Sequence, residues 1–440
     1  MILEKYPSYK DSGFEWLSEI PSHWKVRRVK DIAKINPNTY KSGNIGDSEK
    51  IEFLPMNQVD EAEGRIKKFL FESYANVKSG YTAFKNGDIL FAKITPCMEN
   101  GNCVIVKNLR LNLGFGSTEF IIFRTKFKFR KFLYSFLRNK RFLEKAEYFM
   151  TGSAGQKRIS SSYLEVHPIG IPTEKEQIQI SNFLDKKTSQ IDQKINILQD
   201  KKTSYEELKK SLINETVCRG INKNAELKEA NANWVGKIPS HWNVGRLKNI
   251  FEKRIEKNLR VDGAPVTTNI LSVMKDIGVI NHRDKGNVGN KMSEDITGYK
   301  LVYPKDIVVN KMNVLIGSVG ISKEFGALSV IYIILKTKSK NSPEYYDYVF
   351  RSKYFQKYLR TISTGILEIR ECVNSNLFRH QEIPQPLKHE QIQIAKYLDE
   401  KTSKIDEIIS KIKDQITTLT EFRKTIINDV VTGKVRVQNE

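Results

Sequence analysis

The stretch WLSEIPSHWKVRRVKDI, from Trp16 to Ile32, decides the fold because it occurs twice in the chain. It returns as WVGKIPSHWNVGRLKNI from Trp234 to Ile250, where ten of the seventeen positions are identical. A repeat of this quality constrains the architecture before any single helix or strand is assigned. The chain of 440 residues is therefore predicted to be a duplication of one unit.

A second repeated block closes each half. TEKEQIQISNFLDKKTSQID, from Thr173 to Asp192, returns as LKHEQIQIAKYLDEKTSKID from Leu387 to Asp406, with twelve of twenty positions identical. The segments between the blocks diverge: SGYTAFKNGDILFAK, ending at Lys93, shares only five of fifteen positions with TGYKLVYPKDIVVNK. A repeated frame thus encloses two different middles.

Each closing block begins a long helix with apolar residues seven positions apart, over five heptads. This spacing is typical of a helix that packs against a coiled-coil partner. Since both tails carry it, the two helices are predicted to pair with each other in antiparallel orientation. The predicted seam residues are Leu184, Ile191, Leu198, Tyr205 and Leu212 in the first tail and Leu398, Ile405, Ile412, Leu419 and Ile426 in the second.

The divergent middles alternate short β-type runs with turn residues, which predicts mixed α/β domains. After EFIIFRT, the run KFLYSFLRNKRFLEKAEYF has apolar residues at helical spacing and predicts one basic amphipathic helix. The predicted fold class is α+β: two mixed α/β domains joined by two long helices that form an antiparallel coiled coil, in a pseudo-two-fold internal repeat. The predicted boundaries are 1–172 and 220–386 for the two domains with their repeated heads, and 173–219 and 387–440 for the helices.

Lysine and arginine number 73 against 51 acidic residues, so the formal net charge is +22 and the pI about 9.5. Such a surface favours polyanions, with nucleic acid ahead of an anionic membrane. The longest apolar run is too short to span a bilayer and the first ten residues do not form a signal peptide, so we expect a cytoplasmic protein with no membrane partner. The four cysteines form no CxxC pair, which disfavours a zinc site.

The common catalytic motifs are absent from the sequence, including GxxxxGK[ST], HExxH and GxSxG. A nuclease built on Asp88, Glu99 and Lys93 remains an alternative. It is disfavoured because Asp88 and Lys93 recur in the second half while Glu99 has no equivalent carboxylate. His23 and His241 each precede a tryptophan in the repeated IPSHW and are expected to be packed structural residues.

Four segments together carry a family resemblance: the opening YKDSGFEWLSEIPSHWKVRRVKDI, the segment NGDILFAKITPCMENGN, the loop TGSAGQKRIS and the tail ending FLDKKTSQID. In this order they resemble the specificity subunit of type I restriction-modification systems, over nearly the whole chain. The second half is looser, since it keeps Lys311 but has MNVLIGS in place of TPCMENG. The resemblance implies two target recognition domains, each reading one half of a split double-stranded DNA site.

The resemblance also implies partners and cofactors that lie outside this chain. Two methyltransferase subunits would bind S-adenosylmethionine and methylate adenine, and restriction subunits would supply translocation and cleavage driven by ATP with magnesium. The chain itself is expected to do no catalysis, to hold no metal, and to use its helix pair as a ruler for the gap between half-sites. The remaining alternative is a DNA-binding scaffold without sequence specificity.

The residues expected to contact DNA are chosen by their position in turn-rich segments of the two middles. In the first they are Lys93, Thr95, Glu99, Asn100, Asn102, Gln156, Lys157 and Arg158. In the second they are Asn281, His282, Arg283, Lys311, Asn313 and Arg370. Polar and basic side chains at such places can reach phosphates and base edges.

Overall fold

A computed structural model describes residues 4–39, 45–61, 63–153, 155–275, 277–286, 292–363 and 372–437. The chain divides into two compact units. Unit 1 comprises Met1–Gln199 with Lys413–Glu440, and unit 2 comprises Asp200–Ile412. Because the division falls within the two long helices, each helix contributes one half to each unit.

Unit 1 begins with a frame and continues into a mixed domain. The frame elements are β1 (Tyr9–Asp11), β2 (Glu19–Pro21), β3 (Lys25–Arg28), α1 (Val29–Ile32) and β4 (Ala33–Ile35). The strands of the domain are β5 (Lys50–Leu54), β6 (Val59–Asp60), β7 (Arg65–Ile66), β8 (Leu70–Ser73), β9 (Thr82–Phe84), β10 (Ile89–Ala92), β11 (Cys103–Ile105), β12 (Gly114–Gly116), β13 (Phe120–Thr125) and β14 (Pro168–Ile171). Its helices are α2 (Tyr74–Val77), α3 (Phe127–Leu137), α4 (Lys140–Tyr148) and α5 (Ser161–Val166).

The first long helix, α6 (Glu174–Arg219), leads into unit 2. The strands of unit 2 are β15 (Leu227–Ala232), β16 (Val235–Pro239), β17 (Asn243–Arg246), β18 (Phe251–Lys253), β19 (Leu271–Met274), β20 (Gly278–Asn281), β21 (Lys300–Val302), β22 (Ile307–Asn310), β23 (Val319–Ile321), β24 (Gly326–Leu328), β25 (Tyr332–Thr337) and β26 (Glu382–Gln385). Its helices are α7 (Leu247–Ile250), α8 (Pro343–Arg351), α9 (Lys353–Thr361) and α10 (Ser375–His380), followed by the second long helix, α11 (Lys388–Val431).

The same sheet occurs in both units. In unit 1 its strand order is β11-β10-β13-β4, and in unit 2 it is β23-β22-β25-β18. The apolar runs of β10 and β22 are buried along their whole length, which explains why each is an inner strand. The rest differs: unit 1 has a second four-stranded sheet, β8-β5-β12-β9, where unit 2 has the two-stranded pairs β19-β20 and β21-β24. The repeated frame and divergent filling predicted from the sequence are confirmed.

The long helices pack antiparallel within each unit. In unit 1, Arg423 Nε donates to Asp192 Oδ1 at 2.9 Å, while Leu184 shares an apolar cluster with Val430. In unit 2, Lys209 Nζ lies 2.7 Å from Asp406 Oδ2. Asp192 and Asp406, like Lys209 and Arg423, are separated by 214 residues, so one ion pair is made twice by repeat-equivalent residues.

The seam residues predicted from the heptads lie in the interior or at its edge. With α6 containing 46 residues and α11 containing 44, each helix is roughly 65 to 70 Å long. Buried seam residues are Leu184, Ile191, Leu198, Leu398, Ile405, Ile412 and Ile426, and half-buried ones are Tyr205, Leu212 and Leu419. The predicted fold class, with two mixed domains and a paired set of long helices, is confirmed.

Two local expectations were wrong. The single helix predicted after EFIIFRT is broken into α3 and α4, because Asn139 leaves the helical conformation and its side chain caps α4 by accepting from the Phe142 amide. His23 and His241 are not packed inside. Their exposed Nε2 atoms lie 2.9 Å and 2.8 Å from Glu176 and Glu390, in the first turns of the long helices.

Candidate nucleic-acid interface

Two loops of unit 1 that are far apart in the sequence lie side by side. Lys93 directly follows β10, and its carbonyl oxygen accepts from the Ile159 amide at 2.9 Å. The Thr95 amide in turn donates to the carbonyl oxygen of Lys157 at 3.0 Å. The structure therefore brings the predicted Lys93 segment and the predicted Gln156–Arg158 segment together into one surface, here called the first reading surface.

The exposed side chains of the first reading surface are Gln156, Lys157 and Arg158. Arg158 is held by Glu119: its Nη2 donates to Oε1 at 2.8 Å and its Nε to Oε2 at 3.0 Å. The hydrogen bond from Arg158 holds the pKa of Glu119 below its usual value. Among the described residues, Lys157 has no ion pair, so Gln156 and Lys157 are better placed than Arg158 to contact a ligand.

The remaining predicted residues of unit 1 fall into different environments. Lys93, Thr95 and Glu99 are half-buried, and Asn100 is exposed, with its Nδ2 donating to Glu61 Oε2 at 3.0 Å. Asn102 is only 5% exposed, which places its side chain inside the unit and away from its surface. Glu119 and Glu61 were not among the residues predicted from the sequence. The only signal for Glu119 is its position just before β13, the strand that pairs with β10.

Unit 2 repeats the backbone contact of the first reading surface. Lys311 follows β22 as Lys93 follows β10, and its carbonyl oxygen accepts from the Val373 amide at 3.1 Å. Lys311 is half-buried and Asn313 is exposed, in the turn that leads to β23. Arg370 lies outside the described residues. The turn at Lys311, together with Val373, is called here the second reading surface.

The predicted residues Asn281, His282 and Arg283 form a separate turn after β20. The Asn281 side chain accepts from the Arg283 amide at 3.0 Å and donates to Asn269 Oδ1 at 2.9 Å. The His282 amide donates to the Ile270 carbonyl oxygen at 2.8 Å. This turn is thus anchored by residues 269–270, whereas the Lys311 turn is anchored by Val373. Arg283 is exposed, and Asn281 and His282 are half-buried.

Asp88, one of the two carboxylates considered for a nuclease, is structural. Asp88 is 1% exposed and receives two hydrogen bonds of 2.7 Å from the Arg124 guanidinium and one of 2.8 Å from the Lys85 amide. Its equivalent Asp306 is 2% exposed and binds Arg254. Both oxygens of Asp88 and Oδ2 of Asp306 are engaged in holding a turn against a strand. Within the described residues, no cluster of three or more His, Cys, Asp or Glu could hold a metal ion.

Asp88→Ala is therefore expected to destabilise the protein without removing a catalytic group. The free energy of unfolding should fall by about 1 to 3 kcal/mol, because the change leaves the Lys85 amide and the half-buried Arg124 guanidinium without their acceptor. Chemical denaturation of the purified variant measures this loss. The matched control is Asp47→Ala, whose ion pair with Lys78 is exposed and should contribute less than about 1 kcal/mol. DNA cleavage by the wild-type chain with magnesium, abolished in the Asp88 variant, would restore the nuclease alternative.

Comparison with known proteins agrees with this arrangement. The family model of the type I restriction modification DNA specificity domain matches twice, at residues 21–201 and 239–418. The chain is 33% identical over 228 residues to the EcoAI specificity subunit of Escherichia coli, covering 51% of this chain and 37% of the relative. It is 30% identical over 275 residues to the EcoEI specificity subunit of the same organism, covering 62% and 43%.

The two alignments thus span less than half the length of these curated relatives. A similar fold occurs in a chain solved to explain complex assembly and conformational transition of the type I R-M system. The TM-score is 0.72 at 15% identity, over 94% of this chain and 98% of that one. Among the described residues, no helix has the length and apolarity needed to cross a membrane. With both halves matched by the same family model, the chain belongs to the type I restriction-modification DNA specificity family.

Proposed function

We propose that this chain is the non-catalytic DNA-reading subunit of a type I restriction-modification complex. Each unit reads one half of a bipartite double-stranded site, and partner subunits methylate adenine or cut the DNA. The observation that carries the proposal is the repeated frame with divergent reading surfaces. Similar frames offer two equivalent binding sites for one kind of partner, while different surfaces allow the two half-sites to differ.

The reading role rests on where the two surfaces lie. In both units the reading surface follows the inner strand of the repeated sheet, so a rigid element sets its position. Glutamine, lysine and asparagine side chains at such a surface can bind base edges and phosphates. The formal net charge of +22 favours association with DNA and predicts that binding weakens as salt rises.

The spacer role rests on the paired helices. Their ion pairs and apolar seam fix one antiparallel register within each unit, and a helix is a stiff element of defined length. We therefore infer that the helix pair sets the number of base pairs between the half-sites. The geometry of paired DNA-binding modules sets half-site spacing in other DNA readers as well.

The proposed partners are two methyltransferase subunits and the restriction subunits. They would carry S-adenosylmethionine, ATP and magnesium, and the complex would act on DNA in the cytoplasm. Exposed apolar residues at repeat-equivalent helix positions support two like docking sites. They are Ile178 and Ile392, 53% and 50% exposed, and Leu208 and Phe422, 53% and 50% exposed. A single exposed apolar residue is ordinary, and the support comes from its recurrence at the equivalent position of the other helix.

Changing Leu208 and Phe422 to glutamate tests the docking sites. Each substitution should weaken binding of one methyltransferase copy by about ten-fold, because it places a charge where an apolar contact forms. Titration of the variant with the purified methyltransferase measures the affinity of both sites. Thr203→Glu with Thr417→Glu, at exposed equivalent positions on the same helices, should leave the affinity unchanged. An equal loss of affinity in the Leu208/Phe422 and Thr203/Thr417 double variants would show that the added charge alone weakens binding.

Genome-wide mapping of N6-methyladenine tests the function as a whole. Cells that express the chain with its methyltransferase are compared with cells that lack only the chain. We expect a split motif with a fixed gap that disappears when the chain is absent. An unchanged methylation pattern, with active methyltransferase in both strains, would contradict the proposal and favour a scaffold without sequence specificity.

A further inference from the structure

Two asparagines near the ends of the long helices are buried at equivalent positions. Asn214 in α6 is 7% exposed and Asn428 in α11 is 8% exposed. They are separated by 214 residues, the offset of the tail repeat, and both lie among apolar neighbours. Because burying an amide is unfavourable unless it finds a hydrogen-bond partner, its presence at both positions indicates a specific contact.

Each asparagine binds the start of the same small helix in its unit. In unit 2, Asn214 Oδ1 accepts from the amide of Lys353, the first residue of α9, at 2.8 Å. In unit 1, Asn428 Oδ1 accepts from Nδ2 of Asn139, the residue that caps α4, at 3.1 Å. In each unit this helix is the second one after the equivalent sheet strand, α4 after β13 and α9 after β25. One contact is therefore made twice by different donors.

These hydrogen bonds fix the position of each long helix on its domain, which the apolar seam cannot do alone. Leucine and isoleucine contacts are not directional, so a helix held by them alone can slide or rotate by a small amount at little cost. A hydrogen bond to a buried side-chain amide oxygen is directional, and displacement of the helix leaves that oxygen buried without its donor. A single buried asparagine selects the register of coiled coils by the same means.

We propose that Asn214 and Asn428 are positioning residues that fix the register of the long helices on the two domains, so that the complex accepts a single spacer length. This proposal rests on the function proposed above, in which the helix pair sets the spacer. Neither residue lies on a reading surface, and the half-site sequences are therefore independent of both.

Three variants of unit 2 separate this role from stability. Asn214→Leu removes the acceptor with little change in volume. Asn214→Asp keeps an acceptor oxygen and places it at the N-terminus of α9, where a carboxylate is favoured. Val273→Ala weakens an apolar cluster that contains neither long helix. The readout is methylation at sites with a spacer one base pair shorter or longer than normal, relative to the normal site in the same cells, with thermal unfolding recorded alongside.

We expect Asn214→Leu to raise methylation at the wrong spacers by about ten-fold, the scale of one buried hydrogen bond. Asn214→Asp and Val273→Ala should keep the wild-type ratio. A wild-type ratio in Asn214→Leu, or an equal rise in Val273→Ala, would overturn the positioning role. Asn428→Leu repeats the test in unit 1 should the first variant fold poorly. Absence of any split motif in wild-type cells would contradict the proposed DNA-reading function itself. That result differs from a failure of the positioning role alone, in which wild-type cells still show the split motif.

Discussion

Removing one heptad from each long helix at facing positions is expected to shorten the spacer and leave both half-sites unchanged. Residues 203–209 of α6 and 406–412 of α11 face each other, because Lys209 pairs with Asp406 at one end of the two segments. Each excision shortens its helix by roughly 10 Å, the rise of seven residues. At 3.4 Å per base pair this corresponds to about three base pairs of DNA.

Seven residues are chosen because a whole heptad keeps the apolar seam on the same face of each helix. The control is the excision of 203–209 alone, which displaces the rest of α6 against α11 and should destabilise the protein. Methylome sequencing of cells that express each variant with the methyltransferase in excess reports the motif. The excess offsets the weaker docking expected because the excised segment contains Leu208. A folded double-excision protein that still selects the original spacer would refute the role of the helices as a ruler.

Replacing Gln156 and Lys157 by alanine is expected to impair reading of one half-site only. A lost base contact costs about 1 to 3 kcal/mol, or roughly ten- to hundred-fold in specific affinity. Gln156→Ala should relax the base preference at one position of the half-site read by unit 1. If Lys157 binds a phosphate, Lys157→Ala should weaken binding to all sequences and reduce the salt slope by about one.

Competition binding with DNA libraries randomised in each half-site separates these effects. Arg141→Ala is the matched control, because it removes an exposed charge of the same unit away from the reading surface. Relaxed preference in the other half-site, or the same change in the Arg141 variant, would contradict the assignment of one half-site to each unit.

The duplicated architecture could be predicted from the sequence because its signals are long and regular. Seventeen-residue and twenty-residue blocks exceed chance similarity, and five heptads in each tail define a helix and its buried face. The break between α3 and α4 was missed, since the apolar spacing continues through Asn139 and only the hydrogen bond to Phe142 reveals the cap. Local capping chemistry there overrides helical periodicity.

The candidate site could be predicted only in part. The sequence places Lys93 and the Gln156–Arg158 loop in or beside turn-rich segments, but their adjacency depends on backbone hydrogen bonds between segments about sixty residues apart. Whether a single side chain is exposed and free to bind DNA also depends on packing. Asn102 is buried, and Arg158 is engaged by Glu119, a residue with no motif of its own. The roles of Asn214 and Asn428 are likewise visible only through their hydrogen-bond partners.

The most direct test of the central claim is to give the protein two copies of one reading domain. Residues 251–380 of unit 2 are replaced by residues 33–166 of unit 1, from the last frame strand, β18 or β4, to the last short helix, α10 or α5. The motif methylated in cells with the methyltransferase is then determined. If each unit reads one half-site, both halves of the new motif carry the sequence that unit 1 reads in the wild type. A motif that keeps the original second half-site would contradict the account.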